Sequence, residues 1–99
     1  MRSSLIIGEY ENCQSKLIEY GNLIQYEGYK LSQVWQSEDD YVEVGINFME
    51  DDRECLFLIS DDKTLYLEIE YENQDDTFKL INLWNIIKAY EQKILERYK

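Results

Sequence analysis

From Glu38 to Asp76 the chain reads EDDYVEVGINFMEDDRECLFLISDDKTLYLEIEYENQDD, apolar runs of strand length separated by clusters of carboxylates. In the run Tyr41–Phe48, Val42, Val44, Ile46 and Phe48 share one parity, and Tyr41, Glu43, Gly45 and Asn47 share the other. Period two is the repeat of a strand, whose successive side chains point to opposite faces. The run Thr64–Glu72 alternates in the same way, with Leu65, Leu67, Ile69 and Tyr71 inward and Tyr66, Glu68, Glu70 and Glu72 outward. Glu54–Ile59 is apolar on both parities, which predicts a central strand partly covered on both faces and leaves its inward side open. Glu50-Asp51-Asp52 and Asp61-Asp62-Lys63 are short enough for hairpins, so the segment predicts an antiparallel meander.

Outward from this segment, Tyr29–Ser37 predicts a first, weakly alternating strand in which Leu31 and Val34/Trp35 leave the buried face undecided. Between Ser4 and Tyr26 the residues Ile6, Tyr10, Cys13, Leu17, Tyr20 and Ile24 recur at spacings of four and three. That stripe predicts an N-terminal helix, capped by Ser3 or Ser4 and ended by Gly28, with a break near Gly8 or Gly21 left open. Asp75, Asp76 or Thr77 caps a second helix running to about Tyr98. Its buried face is Leu80, Leu83/Trp84, Ile87, Tyr90, Ile94 and Tyr98, with Trp84 and Ile87 inaccessible. The expected fold is thus a single α+β domain over residues 1–99: a four-stranded antiparallel β-meander flanked by N- and C-terminal helices, in the order α-β-β-β-β-α.

Charge is distributed unevenly. Glu38–Asp76 holds fifteen acids against Arg53 and Lys63, a balance of −13, whereas the other residues hold eight bases and six acids, a balance of +2. The net −11 of the 99-residue chain therefore belongs to the meander. Such acidity repels DNA, RNA and anionic membranes and favours a cationic partner. No apolar stretch approaches the roughly 20 residues of a membrane span, and Leu5-Ile6-Ile7 falls short of a signal h-region of about 7–15. Cys13 and Cys55 are too few for a disulfide framework and lie on predicted apolar faces, which suits reduced thiols in a cytoplasmic protein.

The chain has no histidine, which removes the usual general base, the commonest zinc ligand and every Ser-His or Cys-His nucleophile pair. The turn carboxylates contain no EF-hand loop, and the four glycines form no phosphate loop. The expectation is no enzyme, no cofactor and no metal site. On the last alternating strand, Glu68, Glu70 and Glu72 form a ladder headed by Tyr66, and Tyr41 and Glu43 supply a similar pair. Like charges along a sheet cost stability, and such a run is commonly only a solvated face. Tyrosines beside carboxylates weigh towards binding, because Tyr offers apolar area with few rotamers to freeze and a carboxylate can take a bidentate arginine. Leu56 or Leu58 lying between the two strands would give the patch an apolar centre.

The functional expectation is a non-enzymatic inhibitor that masks a basic, nucleic-acid-handling surface. Immunity proteins that guard against nucleases, phage-encoded antagonists and nucleic-acid mimics are the relevant classes. Tyr41, Glu43, Tyr66, Glu68, Glu70 and Glu72 are assigned to partner binding, and Asp51, Asp52, Asp61 and Asp62 to electrostatic steering. The partner is a basic protein such as a nuclease, with no direct nucleic-acid or membrane contact. The alternative is an adaptor or oligomerising module that uses an exposed apolar helix face.

Overall fold

A computed structural model describes residues 2–38, 41–48, 51–70 and 77–97, with side chains described over 2–31, 41–47, 56–70 and 77–95. The element order is β1 (Arg2–Glu9), α1 (Cys13–Tyr26), β2 (Lys30–Glu38), β3 (Tyr41–Phe48), β4 (Asp51–Asp61), β5 (Thr64–Glu70) and α2 (Thr77–Arg97). The five strands form one antiparallel sheet in the order β1-β5-β4-β3-β2, with β4 at its centre. A small α+β domain with an antiparallel sheet and two helices was expected; the fifth strand was not. Glu72, Asp75, Asp76 and Tyr98 lie outside the described residues.

The N-terminal helix begins later than the Ile6–Tyr10–Cys13 spacing implies. Arg2–Glu9 is an edge strand, paired with β5 from Arg2↔Glu70 to Glu9↔Thr64 and bulged between Ile6 and Gly8. Leu5 and Ile7 turn towards the core, whereas Ile6 is 64% exposed, so the local repeat is two and not 3.6. Helix α1 starts only after Asn12, whose side-chain Oδ1 accepts from the Ser15 N–H at 3.1 Å and caps the first turn, a role assigned from sequence to Ser3 or Ser4. At the other end Gly28 adopts φ +102 and its N–H donates to the Gln25 carbonyl, the left-handed exit that a glycine permits.

Both helices cover the same face of the sheet. Helix α2 lies over β1 and β5, and α1 lies over β4, β5 and β2. Beneath them Ile7, Val44, Ile46, Leu56, Leu58, Leu65, Leu67 and Ile69 join Leu17, Ile24, Leu83 and Ile87 in one core. The Glu54–Ile59 ambiguity resolves here. Leu56 and Leu58 face the helices, and Phe57 and Ile59 take the opposite parity, paired with Glu68 and Tyr66. Ile59 is nevertheless 0% exposed and stands outside the helix-facing core. At Ile59 the central strand is covered on both sides, whereas Phe57 on the same face is half-buried.

Trp84 departs from its expected burial. It is half-exposed, and its indole Nε1 donates to the Ile6 carbonyl at 2.9 Å, while Lys88 Nζ donates to the Ile7 carbonyl at 2.7 Å. Two α2 side chains thus satisfy main-chain carbonyls at the bulge of edge strand β1, which is one way a fold blunts an edge. Cys13 is free and buried; the side chain of Cys55 lies outside the described ones. The apolar face of α2 carries the cover, so Ile87→Ala should cost about 2–5 kcal/mol in denaturant unfolding, the usual range for emptying a closed aliphatic site. A loss below about 0.5 kcal/mol, typical of a surface change, would mean that α2 does not seal the sheet.

Candidate functional site: the open sheet face

With both helices on one side, the other side of the sheet is bare of secondary structure among the described residues, and register decides what stands on it. One row runs Glu43, Ile59, Tyr66, Ile6 across β3, β4, β5 and β1. The next runs Gly45, Phe57, Glu68, Ser4. Tyr41 is paired with Asp61, and Asp61 with Thr64. Four of the residues assigned from sequence to binding, Tyr41, Glu43, Tyr66 and Glu68, therefore surround Ile59. Glu70 stands at the end of β5 beside Arg2, at 3.8 Å with both side chains largely exposed, which makes a weak pair. Asp51 and Asp52, read from sequence as part of a hairpin connection, instead begin β4, where Asp51 is paired with Phe48; their side chains lie outside the described ones, as does Glu72.

The apolar centre comes from different residues than expected. Phe57 and Ile59 occupy the place assigned to Leu56 or Leu58, which are both 0% exposed beneath the helices. A signal for this exists in the sequence. A two-residue turn at Asp62-Lys63 pairs Asp61 with Thr64, and counting back from it aligns Ile59 with Tyr66 on the outward face. Asp62 supplies the turn with φ 54, a left-handed conformation that aspartate tolerates better than most residues. Asp61, assigned from sequence to electrostatic steering, lines a shallow depression with Ser4, Ile6, Thr64, Tyr66 and Glu68.

Electrostatics on this face show that its groups act on one another. Burial raises the Glu43 carboxyl above its ordinary value, the nearby Glu68 charge raises it further, and Arg2 offsets part of the effect. Burial likewise raises the Tyr41 phenol, with Glu43, Glu68 and Asp61 adding to it. Tyr66 is pushed up to about 12, first by burial and then by Tyr41, Glu68, Asp61 and Glu43. Partly desolvated carboxylates held near one another attract any cation that can reach them.

A second polar constellation lies on the helix side and was not read from the sequence. Glu91 Oε2 accepts from the Tyr10 hydroxyl at 2.8 Å and the Tyr20 hydroxyl at 3.0 Å, and Lys88 Nζ lies 3.5 Å from Oε1. The rings of Tyr10 and Tyr20 meet edge to face at 6.4 Å, and those of Tyr20 and Tyr90 at 6.0 Å. Lys16 Nζ sits 5.4 Å from the Tyr10 ring centroid. Tyr10 follows β1, Tyr20 is on α1 and Glu91 on α2, so this cluster clamps three elements. An added Cβ at Gly8 would approach the Tyr10 hydroxyl to 2.8 Å, so a side chain there would displace the ring from Glu91.

Among the described residues no group of three or more carboxylates and cysteines is arranged to hold a metal ion, and no helix is long and apolar enough to cross a membrane. Compared with family models, curated proteins and solved structures, the chain matches none, so the reading of the site rests on its own geometry.

The two carboxylates Glu43 and Glu91 should respond to pH with opposite signs. Burial disfavours ionised Glu91, but hydrogen bonds from Tyr10 and Tyr20 and the charge of Lys88 outweigh it and hold its pKa below the ordinary value. A depressed folded pKa contributes stability above the unfolded value, and that contribution is lost as pH falls through the folded one. Glu91→Gln should therefore destabilise the domain at neutral pH, by roughly 1–2 kcal/mol for charge-assisted bonds at a partly wet site, and the gap should close in acid. Glu43, with a raised folded pKa, destabilises the fold once ionised. Glu43→Gln should stabilise it at neutral pH by about 0.2–1 kcal/mol, with no gain below the ordinary carboxylate range. Denaturant unfolding of both variants across acid to neutral pH checks this; equal pH profiles would show that neither carboxylate is coupled to its neighbours.

Proposed function

We propose that this domain is a non-enzymatic inhibitor that docks its open sheet face on a basic surface of another protein, in the manner of an immunity protein or a nucleic-acid mimic. The observation that supports this reading is the convergence of Tyr41, Glu43, Tyr66 and Glu68 around the dry Ile59, on the side of the sheet away from both helices. Ile59 itself is fully buried, so the apolar area a partner would meet on this face is that of Tyr41, Phe57, Tyr66 and the exposed Ile6, beside the carboxylates of Glu43 and Glu68. Aromatic area with a polar surround is the anatomy of a protein interface. Arginine is the cation that fits, because its planar fork bonds a carboxylate bidentately while its face stacks on a tyrosine ring. A nuclease or another nucleic-acid-handling enzyme presents such arginines where it holds phosphates. The partner need supply no chemistry from this chain, which has no histidine to act as a base. A buried, free Cys13 accords with a reducing, cytoplasmic setting.

Binding energy should concentrate on the face and not on the turns. Carboxylates around Ile59 lose water on docking, so their pairs are poorly screened, whereas acids away from the face's centre, such as Asp51 and Asp52 at the start of β4, act from a distance. With the domain as bait and a captured basic partner identified by mass spectrometry, rate constants would be measured across a salt series. Glu43→Gln/Glu68→Gln should weaken binding by about 2–5 kcal/mol, mainly through faster dissociation. Asp51→Asn/Asp52→Asn should instead slow association and flatten its salt dependence, because those charges steer from a distance. Equal, small effects from both pairs would show the face to be merely solvated. A large effect confined to Asp51→Asn/Asp52→Asn would move the site to the end of the sheet where β4 begins.

A further inference from the structure

The two helices touch around Tyr20, Tyr90 and Glu91, and beside that contact they leave an open groove of about 670 Å³. Only helix residues and the Glu27 cap line it, so it opens away from the sheet. Leu23, Tyr26, Ile86 and Tyr90 make it apolar, and Tyr26 is 87% exposed. Glu19, Glu27 and Lys93 are the charged residues of its lining, and Glu19 is paired with Lys16 at 3.0 Å.

The direction of the helices places Glu27 and Lys93 at opposite ends, with Glu19 on the Lys93 side. Helix α2 ascends alongside β1 towards the β4–β5 hairpin, with Trp84 on Ile6, Lys88 on Ile7 and Glu91 on Tyr10. Helix α1 starts at that hairpin, where the Tyr10 N–H meets the Lys63 carbonyl, and runs away from it past Leu58 and Val44. The helices are therefore antiparallel. Glu27 lies seven residues beyond Tyr20 and Lys93 three beyond Tyr90, in opposite directions, so they are roughly 15 Å apart along the groove at about 1.5 Å per residue.

We infer that this groove is a self-association surface whose occupant is a second copy of the chain. With Glu19 neutralised by Lys16, the lining charges left over are Glu27 at one end and Lys93 at the other, and a two-fold rotation sets Glu27 of each copy against Lys93 of the other, twice. Isologous contacts of this kind close on themselves as dimers. The same rotation lays each exposed Tyr26 into the opposite groove, a large and rigid apolar anchor.

The distribution of charge selects this face for the contact. Two copies of net charge −11 repel each other wherever their meanders approach. Helix α2 instead carries Lys79, Lys88, Lys93 and Arg97 against Glu91 and Glu96, and in α1 Lys16 balances Glu19 at 3.0 Å. The helix layer is the side on which two copies meet with least repulsion. Such a dimer leaves both open sheet faces pointing outward and free, so the inference stands independently of what those faces bind.

The test is sedimentation equilibrium of the whole chain from micromolar to millimolar concentration. The expected mass rises from 12.0 kDa to twice that and no further. Tyr26→Asp, at a position 87% exposed, should keep a native circular dichroism spectrum and hold the protein monomeric. Glu27→Lys and Lys93→Glu should each weaken the dimer about tenfold, since each puts two like-charged pairs in the interface. The double variant Glu27→Lys/Lys93→Glu should restore it. A monomer at millimolar concentration overturns the inference, and so does an open-ended series of larger species. Loss of the dimer in Glu43→Gln/Glu68→Gln, with no effect of the groove variants, would assign association to the sheet face and overturn it equally.

Discussion

Burial of Leu65, Leu67 and Ile69 beneath the two helices sets every other orientation in the sheet. All three are 0% exposed, and β5 is flanked by β1 on one side and β4 on the other. Because strand side chains alternate strictly, burying these three sends Tyr66, Glu68 and Glu70 to the far face. Register then passes the choice along. Leu56 and Leu58 must join the buried side with Ile69 and Leu67, and Phe57 and Ile59 must cross to the open one. A slip of one residue in the Asp61–Thr64 hairpin would put the carboxylates into the core, where unpaired charge costs several kcal/mol. The acidic face is therefore a consequence of the core, held in place by the hydrophobic effect.

Two carboxylates illustrate how one residue type is put to opposite uses. Glu43 and Glu91 both lose some contact with water. Glu91 is met by two tyrosine hydroxyls and an ammonium, and the donors more than replace its hydration, so it locks β1, α1 and α2 together. Glu43 is met by another carboxylate and by tyrosines, and its environment opposes its charge. The first arrangement is that of a structural clamp. The second keeps a charged surface poised at some cost to the isolated domain, the balance expected when a group is retained for an external partner.

The two sides of the molecule divide their roles by charge. The sheet face is acidic, tyrosine-lined and open, whereas the helix layer is near neutral and grooved. Under the proposed function, the sheet side would meet a basic surface while the helix side remains available for contacts of a different chemistry.

The alternation of Tyr41–Phe48 and Thr64–Glu70, the Asp61–Thr64 turn, the helix from Thr77 and the confinement of negative charge to the meander were all legible in the amino-acid sequence. Each depends on neighbours within a few residues, where periodicity and turn chemistry are decisive. The first eight residues were not legible. Ile6, Tyr10 and Cys13 carry a helical spacing and Leu5 and Ile7 a strand spacing over the same stretch, and only pairing with β5, some sixty residues later, favours the strand. The inward side of Glu54–Ile59 was undecided for a similar reason: a run apolar on both parities acquires a direction only from what covers it. The joining of Tyr10, Tyr20 and Glu91 also belonged to tertiary structure alone, since a bond between residues 71 and 81 positions apart leaves no trace in local pattern. Sequence determines which side chains share a face when the repeat is unambiguous; which face meets the helices, and which is left to water, is settled by long-range contacts.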